Sequence, residues 1–330
     1  MHQVKIRHPI EGDDIDVLFV EMESSLDNDA RESSIPYLKT QRKVVFEKEG
    51  SIALVAVKDS RIVGLIKFVT WRDRAWMRML YVLSEFKGQG IEESLIKEAM
   101  RRLNESRISI ISHEWLPSSL LPSAALLSAG FKKLTRAFME RDVEACVGQV
   151  VLPAGYAVRN WDPNLIDDFA AMLHKIFAEP NISIDAIFVP EYSTLEGVKK
   201  ALKESAEGKR AEDLGILDPE TTLLLLHEGT ACGVSICYKW EEAKGERDTS
   251  GKIIEKVPMG FIRMLGLLPE YRGKGLGEIL MRRILKGYAD EGVKGLRLWV
   301  TVENAPAFNL YKKLGFVEIG ERSTVYYWKE

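Results

Sequence analysis

The chain matches itself at a fixed spacing, so it must fold as copies of one unit. Residues 78–95 read RMLYVLSEFKGQGIEESL and residues 263–280 read RMLGLLPEYRGKGLGEIL, with nine of these eighteen positions identical at an offset of 185. The same offset pairs Gly130-Phe131 with Gly315-Phe316. Upstream the offset falls to 169, pairing Gly64 with Gly233, and then to 152, pairing Ile6-Arg7 with Val158-Arg159. The second copy therefore carries insertions of 17 and 16 residues. The first falls near 191–218, around a helical-looking stretch from Thr194 to Glu207. The second is expected to be a charged loop or hairpin over Glu241–Lys256. Insertions at loops leave a core intact. The copies are expected to occupy 1–147 and 151–330, with the boundary near Val147 to Gly155.

Periodicity gives each copy a similar element order. In the second, Tyr156–Arg159 reads as a short strand and Pro163–Phe177 as an amphipathic helix. Apolar runs at Thr222–Leu226 and Gly233–Tyr238 flank the turn Glu228-Gly229-Thr230, a hairpin signal. Pro258–Leu268 predicts a long strand, Gly275–Ala289 a helix and Leu296–Val300 a strand. Ala305–Leu314 predicts a helix that Gly315 ends in a left-handed turn, and Thr324–Trp328 a last strand. The fold class is α/β of the mixed α+β kind, a central mixed sheet flanked by helices in each domain. It is not a regular parallel ladder.

Composition narrows the function. The 330 residues carry 46 Lys+Arg against 49 Asp+Glu, a net charge of −3, which argues against nucleic acid as a partner. The three cysteines, Cys146, Cys232 and Cys237, make no disulfide framework and no zinc spacing, so no metal is expected. No 18-residue apolar run and no signal-peptide core occur, so neither a membrane nor secretion is expected and the protein should be cytoplasmic. Trp71, Trp76 and Trp115 are expected to pack at a domain interface rather than on bases.

The chemically informative segment runs from Leu265 through Leu267 and Leu268 to Arg272-Gly273-Lys274-Gly275-Leu276-Gly277. A strand enters a loop with glycines at alternate positions, and a helix starts inside it. One use of such a loop is anion binding: peptide N–H groups at a helix start point outward and missing Cβ atoms let a phosphate approach. Arg272 and Lys274 add charge suited to a diphosphate. The other use is a tight strand-to-helix turn. Neither the P-loop nor the dinucleotide-binding glycine pattern is present.

Residues 271–277 resemble the acetyl-CoA loop of the GCN5-related N-acetyltransferase (GNAT) superfamily, Gln/Arg-x-x-Gly-x-Gly/Ala. A second block, Asn304, Ala307, Leu310-Tyr311 and Gly315-Phe316, resembles that family's Asn-x-x-Ala-x-x-Leu-Tyr-x-x-x-Gly-Phe. The match covers 151–330, and the first copy is a weaker relative. The resemblance implies acetyl-CoA as cosubstrate, its pantetheine arm along Leu265–Leu268 and its diphosphate on the N–H groups of Arg272 to Gly277. Asn304 would contact it where the central strands part, and Tyr311 would protonate the departing thiolate. Without the resemblance, Tyr311 reads as a core aromatic beside Leu310 and Phe308. The implied reaction is direct attack by a primary amine, of a small molecule or a peptide, in a ternary complex.

Two departures stand out. Many family members carry a glutamate general base on the long central strand, where this chain has Phe261. Glu303 is a weak substitute, and an exposed loop glutamate is the plainer reading. His227 is expected at the surface. In the first copy Glu92 replaces the third glycine, Leu126 stands where Tyr311 stands and Ser119 where Asn304 stands. That copy is expected to be inactive and to help wall the acceptor site, the alternative being a variant that still binds CoA. For the whole protein the alternative to an N-acetyltransferase is a non-catalytic acyl-CoA-binding sensor.

Overall fold

The computed structural model describes residues 4–26, 28–113, 121–143, 150–177, 188–247 and 253–329. The chain begins with strand β1 (Lys5–Arg7), helices α1 (Asp16–Ser25) and α2 (Asn28–Lys43), then strands β2 (Ser51–Lys58), β3 (Arg61–Trp71) and β4 (Arg74–Val82). Helix α3 (Ile91–Glu105), β5 (Ile110–His113), α4 (Ser123–Ser128) and β6 (Lys132–Asp142) follow. Next come β7 (Tyr156–Asn160), α5 (Ile166–Phe177), α6 (Leu195–Ala206), α7 (Ala211–Leu214), β8 (Ile216–Leu217) and β9 (Leu223–His227). The long strands β10 (Thr230–Arg247) and β11 (Ile253–Leu267) precede α8 (Leu276–Asp290), β12 (Gly295–Thr301), α9 (Ala305–Lys313), β13 (Val317–Glu318) and β14 (Ser323–Lys329).

These elements form two compact units, Met1–Thr135 with Ser323–Glu330, and Arg136–Arg322. The first unit's sheet runs β1-β2-β3-β4-β5-β14 and the second's β6-β12-β11-β10-β9-β7. Each contains one parallel pair, β4 with β5 and β11 with β12. This is the mixed sheet flanked by helices that the sequence predicts, twice. The units differ from a cut at 147–151 in their last strands. Tyr327 pairs with Ser112, and Arg136 to Asp142 pair with Thr301 to Gly295. The edges of β5 and β12 that these strands join are equivalent positions in the two copies. A strand's own pattern does not name the edge it joins.

The duplication extends to irregularities of the backbone. Arg263 is an extra residue between the rungs Cys237–Ile262 and Ile236–Met264, and Arg78 between Phe68–Met77 and Lys67–Met79. Cys232 and Val63 are bulged in the same way one strand over. Such bulges bend and re-aim a strand. The Leu268 N–H donates to the Cys232 carbonyl at 3.0 Å, as Leu83 does to Val63.

In the second unit helices cover both faces of the sheet. Leu276, Leu280, Met281, Ile284, Leu285 and Tyr288 make one buried stripe of α8, at the spacing of a single helix face. They pack with Leu296, Leu298, Val300 and Tyr311. On the other face α5 contributes Phe169, Leu173 and Ile176, and α6 contributes Val198 and Leu202. The run Leu223–Leu226 is buried throughout, as a strand covered on both sides requires. Of the two insertions, one supplies α6, over the predicted stretch. The other prolongs β10 and β11 as a hairpin whose residues 248–252 lie outside the described residues.

Candidate active site

Ile262 and Leu298 form the last rung of the parallel ladder between β11 and β12. Beyond it the strands separate, and β11 keeps pairing only with β10. Peptide groups alternate sides along a strand. Leu268 turns its N–H to Cys232, so Leu265 and Leu267 direct theirs to the edge that β12 has left. The Leu267 carbonyl accepts from Arg272 Nε at 3.0 Å. Both main-chain groups of Leu268 are used internally, since its carbonyl accepts the Tyr271 N–H at 3.0 Å.

A short helical turn, Pro269–Tyr271, leads from β11 into the glycine loop. The Arg272 N–H donates to Pro269 at 3.1 Å, closing that turn. Gly273 and Gly275 hold φ of 72° and 76°, a region open to glycine at no steric cost. A Cβ at either would meet nothing within 4 Å, which leaves the approach to the loop open. The first helical N–H to find an acceptor is that of Ile279, on Gly275 O at 3.1 Å. Among the described residues, the N–H groups of Gly273, Lys274, Gly275, Leu276, Gly277 and Glu278 therefore have no main-chain acceptor. They lie at the start of α8, where the helix dipole adds partial positive charge. Glu278 would oppose an anion there, but Lys313 and Arg282 both bond its carboxylate and hold it below the usual carboxylate range. Lys274 lies over the Tyr271 ring at 5.4 Å.

The parted strands and α9 enclose a pocket of about 80 Å³. Leu265, Asn304, Ala307 and Tyr311 line one part of it, and Arg136, Phe188, Arg263 and Trp299 another. Tyr311 is buried, with its ring 5.8 Å from that of Phe316. Asn304 caps α9 from outside and donates its N–H to Thr301 at 3.0 Å. Gly315 ends α9 at φ 84°, as expected. A wider cleft of about 600 Å³ lies by the end of α9, lined by Glu140, Arg141, Arg282 and Lys313. It holds neither the glycine loop nor Tyr311, so it is a poor seat for a thioester.

The predicted groups thus fall on three neighbouring elements: Leu265 and Leu267 on the open strand edge, residues 272–277 in the loop, and α9 with Tyr311 on it and Asn304 at its N-cap. Phe261 packs with Trp240, ring centres 6.5 Å apart, where a carboxylate is common. Glu303 is exposed and does not line the pocket. His227, expected at the surface, is half-buried, its ring 4.5 Å from Tyr156 and 5.6 Å from Tyr271. Arg136, Phe188, Arg263 and Trp299 were not marked by any motif. Arg263 is identical in the two copies, and that identity reads as shared fold rather than as a site.

The first unit keeps the loop's backbone and changes its side chains. Gly88 and Gly90 have φ of 73° and 79°, and Ser94 N–H donates to Gly90 at 3.1 Å. Glu92 is buried there with one carboxylate oxygen unpartnered among the described residues. Leu126 is fully buried at the position of Tyr311. Ser119 and Trp115 lie outside the described residues.

Among the described residues no group of three or more His, Cys, Asp or Glu could hold a metal, and no helix is long and apolar enough to cross a membrane. Comparison with known proteins gives the family. The chain is 27% identical over 246 residues to the mycothiol acetyltransferase of Acidothermus cellulolyticus, covering 72% of this chain and 67% of that protein. It is 26% identical over 266 residues to that of Frankia casuarinae, covering 78% and 69%. The crystal structure of a GCN5-related N-acetyltransferase from Sphaerobacter thermophilus has the same fold, with a TM-score of 0.51 at 17% identity over 99% of this chain and 95% of that one. The acetyltransferase (GNAT) family model matches residues 19–131 and again 183–316. The chain belongs to the acetyltransferase (GNAT) family, twice over in one polypeptide, and is an acetyl-CoA-dependent N-acetyltransferase.

Proposed function

We propose that the unit of residues 136–322 transfers the acetyl group of acetyl-CoA to a primary amine by direct attack in a ternary complex. One observation carries this reading. Six outward peptide N–H groups, at 273–278, stand beside a strand edge left open at Leu265 and Leu267, and that edge leads to a pocket lined by Tyr311. The residues fit the coenzyme: open glycine positions at the loop, N–H donors without main-chain acceptors among the described residues, and a Glu278 carboxylate already paired with Arg282 and Lys313. When bound, acetyl-CoA supplies an acyl group as a thioester open to attack by an amine.

The chain's own part is holding and proton transfer. Residues 273–278 bind the diphosphate, and Leu265 and Leu267 align the arm along the strand edge. Holding amine and thioester together turns a bimolecular encounter into an oriented one. The Tyr311 hydroxyl gives its proton to the departing sulfur, and Asn304 positions the coenzyme at the parting of the strands. With Phe261 in the family's carboxylate position, the amine sheds its proton to water. The first unit is structural, because Glu92 and Leu126 remove an anion's space and the proton donor.

The test uses the whole chain, since each sheet ends in a strand from the other end of the sequence. Acetyl-CoA is incubated with an amino sugar, a polyamine, lysine, a peptide with a free N-terminus and a small thiol-bearing amine, and CoA release is followed. Turnover of at least one amine, lost in Tyr311→Phe, supports the reading. Tight acetyl-CoA binding with no amine acetylated by either protein would favour the sensor.

A further inference from the structure

The pocket where the strands part has a charge pattern that the transferase reading does not use. Among the described residues its lining includes two charged side chains, Arg136 and Arg263, and no carboxylate. Neither belongs to the loop, helix start or strand edge assigned to the coenzyme. Arg263 is the bulge residue of β11 and is half-buried. Among the described residues its guanidinium makes no hydrogen bond and no ion pair.

Among the described residues the surroundings of Arg263 offer no anion to balance it. Tyr192 and Tyr238 are near enough for its charge to favour their phenolate forms, yet burial dominates and raises both, so both stay neutral. The adjacent carboxylate, Glu191, is taken by Arg210 at 3.4 Å. Arg136 lies over the Phe188 ring at 3.9 Å and 5.9 Å from that of Trp299. Arg263, half-buried with no counter-charge among the described residues, is costly unless a ligand supplies one.

We propose that the acceptor is a small amine bearing an oxyanion close to its nitrogen, a carboxylate or a phosphate, and that Arg263, with Arg136, holds that group in the pocket. The proposal rests on the N-acetyltransferase reading and adds the substrate class. The Arg263 guanidinium suits an oxyanion because it can pair with it through parallel N–H bonds, and Arg136 adds a second positive charge to the lining. The small pocket fits a compact acceptor. Acetylation forms the amide bond at the amine, breaks the thioester and leaves the oxyanion unchanged.

The experiment compares matched amines with the full-length protein at saturating acetyl-CoA: alanine against alaninamide, and O-phosphoethanolamine against ethanolamine. The expected result is a preference in kcat/KM of about tenfold or more for the charged member of one pair, falling to about threefold or less in Arg263→Gln. An acetyl-CoA titration of the variant shows that the cofactor half is intact. The pair that shows the preference identifies carboxylate or phosphate. Equal or better turnover of the neutral amines overturns the proposal, as does a preference that survives in Arg263→Gln. So does a preference of the wild type for succinyl-CoA over acetyl-CoA that the variant loses, since the arginines would then serve the acyl group. If no amine reacts, the transferase reading fails. N-acetylalanine and N-acetylalaninamide binding to the CoA-loaded protein still decides the pocket: about tenfold tighter binding of the acid supports anion recognition, and equal binding overturns it.

Discussion

Ile262 lies opposite Leu298 in the last rung of the parallel ladder, and the strands that carry them separate at once beyond it. The rung decides where a coenzyme arm could enter, because an unpaired strand edge offers peptide groups that a paired one has spent. In the first unit the corresponding rung is Met77 with His113.

Removing the Tyr311 hydroxyl should affect the rate and spare binding. Positioned proton donors contribute about 10²–10⁴-fold, so Tyr311→Phe should lower kcat by at least about 10². The phenyl ring keeps its place beside Phe316, so the acetyl-CoA Kd should stay within about threefold. Release of CoA thiol and calorimetric titration measure the two. An unchanged kcat would remove Tyr311 as the donor.

Copying the first unit's loop into the second should abolish its use. Gly277→Glu places a carboxylate among the free N–H groups and should weaken acetyl-CoA binding by at least about tenfold. Gly277→Ala is the milder control, since a Cβ there would sit 3.4 Å from Leu310 Cδ2 and 3.9 Å from Leu267 Cδ1. Titration of the wild type should give one acetyl-CoA per chain, and the Glu variant should leave no tight site. A second site surviving in that variant would mean that the first unit binds CoA.

His113 should make the protein acid-sensitive. Its ring is buried, both nitrogens lack partners among the described residues, and burial pushes it down to about 4 from 6.5. Between these values the unfolded chain takes up a proton that the folded one refuses. Stability is therefore fully present above pH 6.5 and lost as pH falls toward 4, by roughly 3 kcal/mol in the limit. His113→Leu, the residue at the matching rung of the second unit, should flatten that part of the curve. Denaturant melts at pH 7.5 and pH 5 would show the difference, and equal slopes in both proteins would refute it.

Arg297 ties together carboxylates from two strands. It bonds Glu242 through two nitrogens, at 2.5 and 3.0 Å, and Glu140 through its third. Arg297→Met should cost about 2 kcal/mol at pH 7, because two partly buried carboxylates then lack a partner. Chemical denaturation at pH 7 measures the loss, and an unchanged stability would refute the role.

The duplication, the mixed sheets, the hairpin insertion and the helix start at Gly275 were legible because each depends on local pattern. A glycine at positive φ, an apolar stripe and a repeated eighteen-residue block carry their cause within a few residues of themselves. The first copy's departures at Glu92 and Leu126 were legible for the same reason, by position against Gly277 and Tyr311.

What only the folded chain decided is which edges meet. Strand pairing joins residues far apart in sequence, and the two copies offer equivalent edges, so nothing local assigned Arg136–Asp142 to the sheet of the second unit. That assignment brings Arg136 to the pocket shared by Phe188, Arg263 and Trp299, and Glu140 to Arg297. A bulge frees Arg263 from the ladder's alternation, and a register shift between distant strands is likewise invisible to periodicity. Local sequence chose the elements and the glycine loop; long-range hydrogen bonding between strands chose which side chains line the pocket.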